Sequence, residues 1–141
     1  MPSRLILDDH DRLGQWVCDR IGGQYTEGMC IGLEQDGRLL AAVLYDGYLG
    51  RSMRMHVAAE SPRWLVHREF LQVAFGYPFR QLGCEVVIGL VSSDNARAIR
   101  VDEWLGFTRH TVIPKASETG DLIVYTLYKD QCRFLEVSRG R

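Results

Sequence analysis

The run EVVIGLV, Glu85 to Val91, restricts the fold more than any other stretch of this chain. It is too short for a typical helix, and its nearly continuous β-branched and aliphatic character predicts a central strand buried on both faces. Such a strand needs a sheet with helices packed against it. SDN, Ser93 to Asn95, follows at once, and Asn95 or Asp94 can cap a helix by accepting a bond from a free N–H of its first turn. Ala98, Ile99, Val101, Trp104 and Leu105 recur near the 3.6-residue period and predict an inward face. Arg97, Arg100, Asp102 and Glu103 fall mainly elsewhere. Gly106 tolerates the left-handed conformation common at helix ends, and Phe107 can pack back on the last turn.

The remaining elements are read in the same way. Arg4 to Leu7 is a short strand, and Asp8 or Asp9 caps a helix presenting Leu13, Trp16, Val17 and Ile21, which Gly22-Gly23 ends. Met29 to Leu33 and Arg38 to Tyr45 are strands of a hairpin turned at Asp36-Gly37. Ser52 to Ala58 alternates Met53, Met55 and Val57 with Arg54 and His56, so a third strand has one polar face. Ser61-Pro62 opens a long helical pattern from about Trp64 to Gln81, kinked near its end by Pro78. Thr108 to Ile113 and Leu122 to Tyr128 complete the order: strand, helix, three strands, helix, strand, helix, two strands. This predicts a mixed α/β (α+β) fold, with helices flanking a largely antiparallel sheet.

With 141 residues, 46% of them apolar, the chain has material for one core. The expectation is a single domain over residues 1–135, with 136–141 as a flexible tail. A net charge of −1 supplies no general attraction to nucleic acid or to an anionic membrane. Cys18, Cys30, Cys84 and Cys132 are scattered and lack metal-ligand spacing, which predicts free thiols and no metal. No run of 18 apolar residues exists, and the start turns acidic too early for a secretory signal, so a cytoplasmic location is expected.

The element order, together with LGCEVVIGLVSSDNARAIRVDEWLGF from Leu82 to Phe107, resembles the GNAT superfamily, the acyl-CoA-dependent N-acetyltransferases. Members often carry NxxAxxxYEKLGF after a strand, and here Asn95, Ala98, Glu103, Leu105, Gly106 and Phe107 stand in register. The resemblance covers about residues 4 to 130. It implies a V-shaped splay between two central strands, here Arg54 to Ala59 and Val86 to Val91, that receives the pantetheine arm of acetyl-CoA as a substitute strand. It also implies cofactor contacts from Val57, Ala58, Arg63, Trp64, Val91, Ser92 and Asn95.

Two departures stand out. The family's glycine-rich Q/RxxGxG/A turn, whose amides hold the pyrophosphate, is absent, because Arg51 to Phe75 contains no glycine. Arg63, His67 and Arg68 are the cations available to compensate. Asp102 replaces a Tyr that protonates the departing thiolate in many relatives. An ionised aspartate would repel that thiolate unless burial raised its pKa, which makes it a poor acid on sequence grounds.

Acyl transfer also needs a neutral amine, and His56 and Glu60 are the candidate bases, directly or through water. Ser92 and Ser93 could bind a water or the coenzyme, and Tyr25, Tyr45, Tyr48 and Tyr125 could line an acceptor pocket. The expected activity is acetyl transfer from acetyl-CoA to an amine of a small molecule, peptide or protein. A non-catalytic GNAT-like binding module is the alternative. Modification of a nucleobase amine is a weaker one, resting on Arg97, Arg100, Arg139 and Arg141. No membrane partner is expected, nucleic acid is disfavoured, and a homodimer stays open.

Overall fold

The computed structural model describes residues 3–135, so the expected tail at 136–141 lies outside the described residues. Strand β1 (Arg4–Ile6) and helix α1 (His10–Ile21) are followed by β2 (Met29–Gln35), β3 (Arg38–Asp46) and β4 (Ser52–Ala59). Helix α2 (Arg68–Gly76), β5 (Val86–Ser92), α3 (Ala96–Leu105), β6 (Thr108–Ile113) and β7 (Leu122–Tyr128) complete the expected order. Asp36 and Gly37 both take positive φ, 54° and 78°, which makes the β2–β3 turn tight and twisted to suit the strands.

The seven strands lie in the order β1-β2-β3-β4-β5-β7-β6. Every neighbouring pair is antiparallel except β4 with β5, which run parallel. Successive strand residues point to opposite faces, so Ala42 and Ala41 of β3 separate the two layers. Ala42, Leu44 and Ala58 pack with Leu13 and Val17 of α1. Ala41, Val43 and Tyr45 join Phe70 and Phe75 of α2 and Leu105 of α3 in the larger core.

Coverage of β5 differs from the sequence expectation. Val87, Gly89 and Val91 are buried under α2 and α3, whereas Val86, Ile88 and Leu90 are only half-buried. The reason is that α1 packs mainly on β2, β3 and β4 and gives β5 little cover. An apolar strand therefore carries one partly open face.

The single long helix from Trp64 to Gln81 is also corrected. Pro62–Val66 forms a 3-10 turn, and α2 begins only at Arg68. His67 breaks the path in extended conformation and caps α2, its Nδ1 accepting from the Phe70 N–H at 3.2 Å. That acceptor role places the ring proton on Nε2, which faces Ser3 Oγ at 3.1 Å. Around Pro78 the helix widens into a π turn, Tyr77–Gln81.

Helix α3 is framed as its sequence suggests. Asn95 Oδ1 accepts from the Ala98 N–H at 3.1 Å, and Gly106 closes the helix in the left-handed region at φ 106°. Replacing Asn95 with Ala removes the cap and is expected to cost about 0.5–2 kcal/mol, read as a lower denaturant midpoint at unchanged slope. An unchanged midpoint would show that this bond contributes nothing.

Candidate active site

Strands β4 and β5 pair over only three residues, Ser52 with Val86, Met53 with Val87 and Arg54 with Ile88. Beyond Arg54, β4 stays with β3 as far as Ala59, and beyond Ile88, β5 stays with β7 as far as Ser92. The two strands therefore diverge, and each leaves one edge without a strand partner. A cavity of about 280 Å³ occupies this region. Val57, Ala58, Ala59 and Glu60 form one wall, and Asn95, Arg97, Ala98, Val101 and Asp102 of the α3 segment form the other. Arg20 and Ile21 of α1 also border it. Since α1 and α3 sit on opposite faces of the sheet, the gap reaches from one face to the other.

Asp102 is the unexpected member of this wall. Ala98, Asp102 and Leu105 are spaced four and three residues apart, which aligns them on the inward face of the helix. That spacing was a readable signal, although the carboxyl's polarity argued for the outer face. Asp102 is 9% exposed. A Cβ added to Gly89 would meet its Oδ2 at 3.0 Å, so a glycine beside the point of divergence makes room for this carboxyl. Burial, helped by the neighbouring Glu103 charge, pushes its pKa up to about 7. It therefore carries a proton for much of the time at neutral pH.

On the opposite face, His56 Nε2 meets Asp46 Oδ1 at 3.1 Å, and Arg54 Nε donates to the same oxygen at 2.6 Å. Hydrogen bonds and charge from His56 and Arg54 outweigh partial burial and hold the Asp46 carboxyl below its ordinary range. His56 stands two residues past the last β4–β5 pair and is not itself part of the cavity wall. Glu60 borders the cavity but is ion-paired with Arg38.

Solved structures with this architecture include Ard1 from Thermoplasma volcanium, 13% identical over 91% of this chain and 98% of that one, with a TM-score of 0.72. yncA from Salmonella typhimurium, solved with its cofactor acetyl-CoA, is 14% identical over 97% of this chain and 96% of that one, with a TM-score of 0.70. The spermidine N-acetyltransferase from Vibrio cholerae in complex with CoA and spermine is 14% identical over 95% and 98%, with a TM-score of 0.66. This chain has the GNAT fold. No family model and no curated protein matches its sequence.

Within the GNAT fold, the expected contact residues separate into two groups. Val57, Ala58 and Asn95 border the gap, whereas Val91 and Ser92 continue β5 without reaching the cavity wall. Ser92 Oγ instead donates to Asp94 at 2.6 Å and meets Ser117 Oγ at 2.8 Å, and Ser93 Oγ accepts from the Asp121 N–H at 3.0 Å. Both serines tie the β6–β7 loop to the start of α3. Arg63 and Trp64 turn away, the guanidinium lying 4.5 Å above the indole beside a separate depression bordered by Gln35 and Arg38. The short 3-10 turn explains this displacement, because it rotates side chains differently from the α-helix expected there. His67 is spent as a cap.

Tyr45 and Tyr125 are core residues bonded to the Ala74 carbonyl and to Glu103. Tyr25 packs on Gly14, and Tyr48 is exposed. All four cysteines are free and buried. Among the described residues no cluster of His, Cys, Asp and Glu could hold a metal, and no helix is long and apolar enough to cross a membrane. Arg139 and Arg141 lie outside the described residues.

Proposed function

We propose that this chain transfers an acyl group, acetyl in the first instance, from an acyl-CoA to an amine by direct attack. The observation that carries this reading is the β4–β5 gap, which opens beside the buried Asp102, whose pKa burial raises to about 7. The coenzyme supplies an activated thioester carbonyl. Along its pantetheine arm, amides can bond the free edge of β4 at Val57, whose backbone groups face the gap while those of Ala58 stay in the ladder with β3, completing the pairing that the divergence interrupts. Asn95, Ala98 and Val101 form the opposite wall.

His56, oriented by Asp46 on the α1 face and set back from the cavity wall, takes the proton from the incoming amine through an intervening water. The amine nitrogen bonds to the carbonyl carbon, and the C–S bond breaks. Asp102 then gives its proton to the sulfur from the α3 face. An acid with a pKa near 7 is well matched to that step, which removes the objection to Asp102 raised by its usual ionisation. Glu60 serves less directly, because Arg38 already neutralises it.

One observation favours a non-catalytic module instead. Around the turn that replaces the glycine motif, the Trp64 N–H is donated to the Ser61 carbonyl and the His67 N–H to the Trp64 carbonyl, while Pro62 has none. A backbone cradle for pyrophosphate is therefore weakened. Calorimetric titration with acetyl-CoA separates the readings, and saturable heat in the micromolar to submillimolar range is expected. No binding at about 1 mM would overturn the acyltransferase reading and favour the module.

A further inference from the structure

Arg97 joins the two walls of the gap. From the first turn of α3 its Nη2 donates to the Ala59 carbonyl at 3.1 Å and to the Glu60 carbonyl at 3.0 Å, where β4 ends. It borders the inner cavity and also a second groove of about 610 Å³, which runs outward past Ser61, Pro62, Leu65, Arg100 and Trp104. The guanidinium thus stands at the junction of two compartments. A pantetheine arm in the inner compartment and a nucleotide in the outer one must have their connecting phosphates near this junction.

We propose that Arg97 is the phosphate anchor of this site, exchanging the two backbone carbonyls that it holds in this structure for the pyrophosphate of the acyl-CoA donor. The proposal rests on the acyl-CoA reading and adds the residue that replaces the missing backbone cradle.

Three observations support the exchange. The present acceptors are neutral carbonyls, whereas pyrophosphate oxygens are anionic and suit the planar fork of a guanidinium, so the second set of bonds is stronger. Among the described residues Arg97 forms no ion pair, so no carboxylate has to be abandoned. Glu60, the acidic group bordering both compartments, is paired with Arg38, which lowers its repulsion toward an incoming anion.

Other cations are less suited. Arg20 lies 3.6 Å over the Trp16 ring and donates to the Trp16 carbonyl at 3.2 Å. Arg63 lies over Trp64 on another side of the turn. Arg100 borders only the outer groove, where it can assist but cannot bridge.

The test compares acetyl-CoA with S-acetylpantetheine, which keeps the thioester arm and lacks every phosphate. Both are titrated into the wild-type protein, Arg97→Ala and Arg97→Lys, with thermal unfolding as a check on folding. The wild type is expected to prefer acetyl-CoA by at least tenfold. Arg97→Ala should weaken acetyl-CoA about tenfold or more while leaving acetylpantetheine unchanged or tighter, because the carbonyls of Ala59 and Glu60 are freed. Arg97→Lys should recover part of the lost acetyl-CoA affinity. Equal weakening of both ligands in Arg97→Ala would mean that Arg97 only supports the wall, and no weakening of either would mean that it does not meet the phosphates. Each overturns the anchor and leaves the acyl-CoA reading standing. Absence of binding by either ligand to the wild type would overturn that reading, and the anchor with it.

Discussion

Asp102→Asn is expected to lower kcat for acetyl transfer by about 100-fold or more, within the range that a positioned general acid contributes, while changing the donor KM by only a few-fold. The amide fills the same space against Gly89 and still borders the gap, but it has no acidic proton to give. In the wild type, kcat should fall as pH rises through about 7, because the acid is lost there. In the variant that limb should disappear. An Asn variant with full kcat and an unaltered alkaline limb would remove Asp102 from the mechanism.

The same substitution has a stability signature of known sign. The folded pKa of Asp102 is raised from 3.8 to about 7, so between those values the native state binds more protons than the unfolded one. Its contribution is fully present below about 3.8 and is lost as pH rises through about 7. A shift of that size corresponds to at most about 4 kcal/mol. Asp102→Asn should therefore flatten the pH dependence of the melting temperature and raise it relative to wild type at pH 8. A slope equal to that of the wild type would show that the carboxyl does not titrate as placed.

Phe75→Ala is expected to destabilise the fold by about 3–5 kcal/mol, the usual cost of emptying a buried aromatic site. Phe75 is 1% exposed and lies 5.2 Å from the Phe134 ring centroid, 6.3 Å from Phe107 and 6.5 Å from Phe79. These rings belong to four different parts of the chain: α2, the π turn, the end of α3 and the C-terminal segment. The loss should appear as a lower denaturant midpoint at unchanged slope. A loss under 1 kcal/mol would mean that the neighbouring rings refill the space.

Local signals explain why most of the fold was readable. Asp36-Gly37, Asn95 and Gly106 each have backbone needs that few residues satisfy, and each occupies the expected turn or cap. What escaped reading depended on neighbours remote in sequence. EVVIGLV cannot reveal that α1 packs mainly on β2, β3 and β4, so its half-open face was invisible. His67 looked like a helical residue because its capping bond to the Phe70 N–H exists only once the turn before it has tightened. Asp102 was placed outward from its charge, although its spacing from Ala98 and Leu105 pointed inward. Arg97 could be read as a surface cation, but not as a bridge to Ala59 and Glu60, 38 and 37 residues away.

The three-residue contact between β4 and β5 also changes what kind of object the sheet is. β1 to β4 form one plate and β5, β7 and β6 another, each stitched internally along most of its strands, with a seam that is closed at one end only. A rotation of one plate against the other leaves the ladders inside each plate intact and concentrates its displacement at the open end, around Ala59 and Ser92. Whatever spans that end, whether the Arg97 side chain or a bound molecule, joins the two plates at a distance from their shared ladder. The hydrogen bonds at the mouth of the seam thus close, by side chain, the end of the sheet that its backbone ladder leaves open.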